Sequence, residues 1–263
     1  MNAIKRTKNK ILNFMLEINK IHCMDCLEGM KQIPDNSVDL IITDPPYPID
    51  TENGTNRFKF KVNKKGSKEN HLTDKNLNWF PTPYKWNYLW KNTLIEMKRI
   101  LKDGGHIYIF INEDNLFKEK LRIDNYFIFR SLLTWFKGSS YSECFGMGCY
   151  WRKSCEFIYF YTKGKTKKYI IDHGTLLHYP RNNIKINHPT PKSVKMIMKI
   201  IEKSSDENDV VFDPFMGSGT TAVACKQLNR NFIGFEISQE YVDIANKRLA
   251  QENLKGWFDN GKD

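Results

Sequence analysis

The sequence predicts an α/β protein built on a doubly wound, mainly parallel sheet. Three observations predict it. Strand-like and helix-like segments alternate along most of the 263 residues. The strand-like runs are continuously apolar, as strands covered by helices on both faces are. Two of them, "VDLIITDPPYPID" and "VVFDPFMGSGTTAVAC", end in an acid followed by a turn, at the strand edge where such sheets bind ligands.

Residues 1–17 are basic and weakly patterned and read as an N-terminal extension, leaving 18–257 as the domain. "INKIHCMDCLEGMKQIPDNSVDLIIT" reads as strand, short helix, turn and strand, with Pro34, Asp35 and Asn36 making the break. Residues 49–83 lose periodicity and read as an inserted loop. Apolar residues at helical spacing predict a helix from Trp86 to Leu101, closed by Gly104 and Gly105. "HIYIFI" is a strand, a polar helix starts at Glu113, and "YFIFRSLLTWF" and "CEFIYFYTK" are further strands. Residues 163–187 are basic and irregular. A helix from about Pro191 to Lys203, the strand "DVVFD", a helix from Thr220 to Leu228, the strand "NFIGFE" and a helix after Ser238 complete the chain.

Composition narrows the function. The hydrophobic fraction of 40% suits a globular chain, and no apolar run approaches the roughly 20 residues that span a bilayer. The six cysteines lack a disulfide-scaffold spacing, and Cys23-x-x-Cys26 has no second pair at zinc-ribbon distance. Ordinary thiols in a reducing, cytoplasmic compartment are expected, with no metal. The net charge of +11 favours a polyanionic partner. "RFKFKVNKKGSK" interleaves rings with cations, as nucleic-acid grooves do, so Arg57, Lys59, Lys61, Lys64 and Lys65 are candidate phosphate contacts. Arg152 and Lys168 are further candidates; a solvated basic surface is the alternative.

The segment from Val210 to Cys225 carries the second constellation. Gly217 and Gly219 permit close approach of backbone to ligand, and the amides opening the next helix can face a polar group. Asp213 can accept from a cationic ammonium. Glu236 ends the following strand about 20 residues on, where such sheets hold ribose hydroxyls. The G-S-G-T-T turn has no third glycine, which points to a ribose-bearing ligand without a diphosphate. A tight strand–helix connection is the alternative for the turn taken alone.

"TDPPY" together with the later "DPFMGSGTT" resembles the amino-methyltransferases that modify exocyclic nitrogens of DNA bases with S-adenosylmethionine. The catalytic motif precedes the cofactor motif, which is similar to the permuted beta class, and the resemblance covers most of residues 18–250. "NHPTPKS" is similar to the family's H-P-T-Q-K-P segment, departing at Pro191 and Ser193. "CMDCLEGM" is similar to its G-D-C-L-E-x-L opening, with Met24 where glycine is common. The resemblance implies a Rossmann-like methyltransferase sheet in permuted motif order. It implies Asp44, Pro45, Pro46 and Tyr47 as catalytic residues. For the cofactor it implies Asp25, Cys26, Asp213, Pro214, Phe215, Gly217, Ser218, Gly219, Thr220, Thr221 and Glu236, with His188, Thr190 and Lys192 from the downstream segment.

The chemistry suits those residues. An exocyclic amine is a poor nucleophile because its lone pair is delocalised into the ring. The Asp44 carboxylate can accept one N–H and the Pro45 carbonyl the other, driving the nitrogen toward tetrahedral geometry. The prolines fix the turn and bring no amide of their own to compete. Tyr47 can stack on a base rotated out of the duplex. Within the resembling family an aspartate in the first motif position accompanies adenine N6 and a serine more often cytosine N4, so Asp44 favours adenine in double-stranded DNA. Cytosine N4 and an RNA base stay open as alternatives; a protein-glutamine substrate goes with N-P-P-Y. A non-catalytic nucleic-acid module would show degraded motifs, and a nicotinamide oxidoreductase would want the third glycine. Residues 49–83 and 163–187 are the candidate target-recognition elements. A restriction endonuclease counterpart and a monomer or homodimer are the expected partners.

Overall fold

The computed structural model describes residues 16–48, 81–137, 155–166, 168, 170, 174–180 and 192–251. Its centre is an eight-stranded sheet. In chain order the elements are β1 (Lys20–Cys23), α1 (Cys26–Met30), β2 (Val38–Thr43), α2 (Pro83–Ile100), β3 (Leu101–Ile111), a 3-10 turn (Glu113–Asn115) and α3 (Leu116–Ile123). There follow β4 (Ile128–Phe136), β5 (Cys155–Thr162), β6 (Leu176–His178), α4 (Val194–Ser204), β7 (Val210–Asp213), α5 (Thr220–Gln227), β8 (Asn231–Glu236) and α6 (Gln239–Ala250). The strand order is β1-β8-β7-β2-β3-β5-β4-β6, and β5 runs against both of its neighbours while all other pairs are parallel.

The side-chain period of two divides each strand between two cores. Leu40 and Ile42 of β2 face a core shared with α4, α5 and α6, whereas Ile41 faces one shared with α1, α2 and α3; Val38 joins Ile41's core across the irregularity that separates it from Leu40. The sheet is therefore covered on both faces, which is why its strands read as unbroken apolar runs. Trp86, Trp90 and Trp135 are fully buried. Each ring of that size removes roughly 150–250 Å² from water, on the order of 4–6 kcal/mol before the cost of ordering it.

Three details depart from the sequence expectation. Helix α2 starts at Pro83, ahead of Trp86, because Thr82 caps it by accepting from the Lys85 amide and proline suits the first turn. It ends at Ile100, and the chain passes straight into β3. Gly104 and Gly105 thus lie inside a strand, at an irregularity where Val38 pairs with Leu101 but Leu40 with His106. Gly104, at φ +83°, absorbs the extra residues of that bulge. The short edge strand β6 lies in the stretch read as irregular; three residues are too few to show a period.

Polar anchors set the edge of the sheet away from the strand C-termini. Asp39, the one charge in β2, accepts from Lys102 of β3 and from the Val210 amide of β7, tying three strands together. His106 and Tyr108 both bond the Ser204 hydroxyl, at 2.9 and 2.8 Å, which fastens α4 to β3. Burial lowers His106 to a pKa of about 4, so it stays neutral. No helix among the described residues is long and apolar enough to cross a membrane.

Candidate active site

Strands β2, β7 and β8 end side by side in Thr43, Asp213 and Glu236, so the acids that follow or close them converge at one edge. Between them lies a cavity of about 330 Å³. Its walls include Asp44, Pro45 and Pro46 after β2, Asp25 and Cys26 at the start of α1, and Asp213, Pro214 and Phe215 after β7. Gly217, Ser218, Thr220 and Thr221 of the glycine turn, Glu236 of β8 and Lys192 complete the predicted residues found there. His188, Thr190, Arg57, Lys59, Lys61, Lys64, Lys65 and Arg152 lie outside the described residues.

Each acid is already organising backbone. Asp25 caps α1, accepting from the Leu27 and Glu28 amides at 2.8 and 3.3 Å. The two Asp213 oxygens accept from the Phe215 amide at 3.0 Å and the Thr221 hydroxyl at 2.8 Å. Glu236 accepts from the Gly217 and Ser238 amides, both at 2.9 Å. The carboxylates thereby hold the loops whose ligand they would also meet. Each oxygen of Asp213 and Glu236 takes one of these bonds and keeps a second lone pair, whereas Oδ1 of Asp25 takes both of its amides. Burial pushes Asp213 up to about 7, against the pull of its hydrogen bonds, and burial raises Glu236 as well. A raised carboxyl in a concave site is one that a cationic group would restore to its ionised form.

The glycines divide the work. Gly217, at φ +52°, lines the cavity and gives its amide to Glu236. Gly219, expected to let a ligand approach, does not line the cavity. It caps α5 in the left-handed region at φ +81°, and a Cβ there would lie 2.6 Å from the Cβ of Ala245 in α6. Its small size serves helix packing beneath the loop. Arg248 of α6 reinforces the same loop by donating to the Ser218 carbonyl.

Around the acceptor turn the structure adds contacts that the sequence did not show. The Pro45 carbonyl already accepts the Tyr47 amide at 2.9 Å, so one of its lone pairs is in use. Tyr47 is buried and outside the cavity lining. Its hydroxyl donates to the Phe110 carbonyl at 2.9 Å and its ring packs on Trp86 at 5.1 Å, beside the stacked Trp86–Trp90 pair. Lys192, expected at the cofactor, lines the cavity and also pairs with Asp44 at 2.7 Å and with Glu156 of β5 at 2.9 Å. Lys168, expected on phosphate, binds Asp206 and the Ser205 carbonyl, ahead of β7 and so at the opposite edge of the sheet.

Glu156 is the residue that sequence reasoning missed. It sits in "CEFIYFYT", a lone charge in an apolar strand, and that isolation was the available signal. Lys137, just after β4, binds its other oxygen. Burial works to raise Glu156, but Lys192 and Lys137 overcome it and hold the acid at about 2. Burial likewise raises Asp44, with Lys192 opposing it.

A doubly wound sheet with acids at three strand ends, a glycine turn and an acid–proline–proline turn makes a cavity suited to a nucleoside ligand. Comparison with known proteins names the class. The N6_N4_Mtase family model, described as DNA methylase, matches residues 38–247. The chain is 31% identical over 260 residues to type II methyltransferase M.HpaI of Haemophilus parainfluenzae, covering 89% of this chain and 74% of that protein. It is 30% identical to type II methyltransferase M.HinfI of Haemophilus influenzae, covering 94% and 71% of the two chains. Among solved structures, the M1.HpyAVI–SAM complex superposes with a TM-score of 0.64 at 26% identity, covering 88% of this chain and 98% of that one. The cytosine-N4-specific PvuII DNA methyltransferase shares the fold, with a TM-score of 0.65 at 18% identity and coverage of 92% of each chain. The chain belongs to this family of DNA methylases and takes S-adenosylmethionine as its cofactor.

The residues present fit that cofactor. Asp213 and Glu236 offer acceptors for an ammonium and a ribose, and Phe215, Ile237 and Phe235 offer apolar walls. Thr43, buried at the cavity, has a hydroxyl oxygen with no partner among the described residues.

Proposed function

We propose that the enzyme methylates N6 of adenine in double-stranded DNA, acting on a base rotated out of the stack. The observation that carries this reading is Asp44, a carboxylate at the end of β2 that faces the cavity containing Asp213 and Glu236. Bound S-adenosylmethionine supplies an electrophilic methyl group. Asp44 accepts one amine N–H and the remaining lone pair of Pro45 the other, which localises the nitrogen lone pair and stabilises the positive charge that develops on it. The methylated nitrogen then passes the proton already hydrogen-bonded to Asp44 to that carboxylate, which returns it to solvent, leaving a neutral N-methylated amine. For Tyr47 to serve as the stacking platform, its ring has to leave Trp86 when the base arrives. Residues 49–83 and 163–187 carry target recognition in this reading, and an endonuclease with the same target is the partner.

The test is incubation with labelled S-adenosylmethionine and unmethylated double-stranded DNA, single-stranded DNA or RNA, followed by nucleoside analysis. Label is expected in N6-methyladenine from duplex DNA and lost in Asp44→Ala. Label in N4-methylcytosine, or only in RNA, would overturn the assignment of substrate.

A further inference from the structure

Four buried or half-buried charges form a chain behind the acceptor turn. Lys137 follows β4, Glu156 opens β5, Lys192 precedes α4 and Asp44 follows β2, so four segments distant in sequence meet at one edge of the sheet. Lys137 and Lys192 hold the two oxygens of Glu156, and Lys192 also binds Oδ2 of Asp44. The Lys192 ammonium lies 4.9 Å from the centroid of Phe110, whose carbonyl receives the Tyr47 hydroxyl. Charges so placed are costly unless paired, and two cations with two anions leave no net charge.

We propose that Lys192 and Glu156 are positioning residues for methyl transfer: Glu156 fixes the Lys192 ammonium, and Lys192 fixes Asp44 through Oδ2, leaving Oδ1 for the target amine. This rests on the reading of Asp44 as the amine acceptor. A free carboxylate on a turn rotates about its side-chain bonds, and an acceptor off line by an ångström loses much of the benefit of orientation. A lysine alone would solve that at the expense of a positive charge beside a nitrogen that itself becomes positive. Glu156 cancels that charge. Lys137 in turn keeps Glu156 ionised, since burial alone would raise its carboxyl.

Asp44 is faced by Lys192, Glu156, Lys137, Asp213 and Tyr47. Of these only the two lysines favour its ionised form, and Lys192 is the one in contact. Removing Lys192 therefore moves the Asp44 titration, and with it the acid limb of the rate profile, to higher pH.

The experiment compares wild type, Lys192→Met, Lys192→Arg and Glu156→Gln. It measures single-turnover methyl transfer to unmethylated duplex DNA across pH, with Kd for DNA and for S-adenosylmethionine determined separately. Lys192→Met and Glu156→Gln are expected to slow transfer about tenfold or more, with both Kd values within about threefold of wild type. In Lys192→Met the acid limb shifts upward; Lys192→Arg keeps the limb near its wild-type position. Unchanged transfer rates, or a loss explained by weaker cofactor binding, would overturn the inference. Should Lys192→Met fail to fold, the double variant Lys192→Met/Glu156→Gln removes both partners and is expected to match Glu156→Gln in rate within about threefold. A double variant at the wild-type rate overturns the inference. Isotope-edited NMR titration of the Asp44 carboxyl gives a readout without turnover, in which the Lys192→Met midpoint must rise. Wild type that transfers no methyl to any base would instead reject the catalytic reading of Asp44 and leave the NMR result to judge the Lys192 contact.

Discussion

Asp213 shows how one residue can organise the fold while it faces the cavity. Its oxygens hold the Phe215 amide and the Thr221 hydroxyl, while burial raises its carboxyl to about 7. A carboxyl raised above its unfolded value binds its proton more tightly in the folded state. Its contribution to stability is thus present below about pH 4 and is lost as pH rises through about 7. Glu156, held at about 2, runs the other way and supports the fold at all pH values above that of an ordinary glutamate. Cofactor-free Asp213→Asn should therefore lose less stability than wild type between pH 4 and 7, which thermal denaturation across pH would reveal. Because the cofactor's ammonium favours the ionised acid, wild-type cofactor affinity should rise with pH through the same window, and calorimetric titration should find that rise missing in Asp213→Asn. At Tyr47 two contributions separate. Tyr47→Phe removes the bond to the Phe110 carbonyl at a cost of about 1 kcal/mol but keeps the ring. Transfer by Tyr47→Phe should stay within a few-fold of wild type, and loss of activity comparable to that of Asp44→Ala would reject the stacking role.

At the level of elements, the glycine turn and α6 form one unit. Gly219 sits at a positive φ against Ala245, and Arg248 of the same helix grips Ser218. Gly219→Ala meets both objections at once: left-handed backbone costs a residue with a Cβ about 1–2 kcal/mol, and the contact with Ala245 adds to it. A fall in Tm with weaker cofactor binding is expected, and a variant with unchanged Tm would show that α6 yields easily. Helix α2 works at the other side of the site. Its Trp86 and Trp90 form the wall on which Tyr47 rests, so Trp90→Ala should destabilise by about 3–5 kcal/mol in chemical denaturation.

For the whole molecule, the charge of +11 is the governing quantity. A DNA methylase meets a polyanion, and cations that neutralise phosphates make affinity fall linearly on logarithmic axes as salt is raised. Binding to duplex DNA should weaken by orders of magnitude between low and moderate salt, as followed by fluorescence anisotropy; a flat response would reject the basic stretch 57–68 as a phosphate clamp. Lys168 is not expected to contribute to that slope, because it is held by Asp206 at the edge of the sheet away from the cavity.

Much of this was legible from residues alone, for a physical reason. Strands buried on both faces must be continuously apolar, and ligands of such sheets gather at strand C-termini. "DLIITDPPY" and "VVFDPFMGSGTT" therefore announced both the fold and the paired acids of the cavity. Asp39 was visible as a break in β2, but that it joins β2, β3 and β7 required those strands to be neighbours. Periodicity carries no information about which side chain will answer a charge far away in sequence. Only the tertiary structure, by laying β5 antiparallel against β3 so that its Glu156 end shares a sheet edge with the end of β2, let Lys192 bridge that acid to Asp44. It also decided that Gly219 faces a helix and that Tyr47 rests in the core, since both depend on what packs opposite.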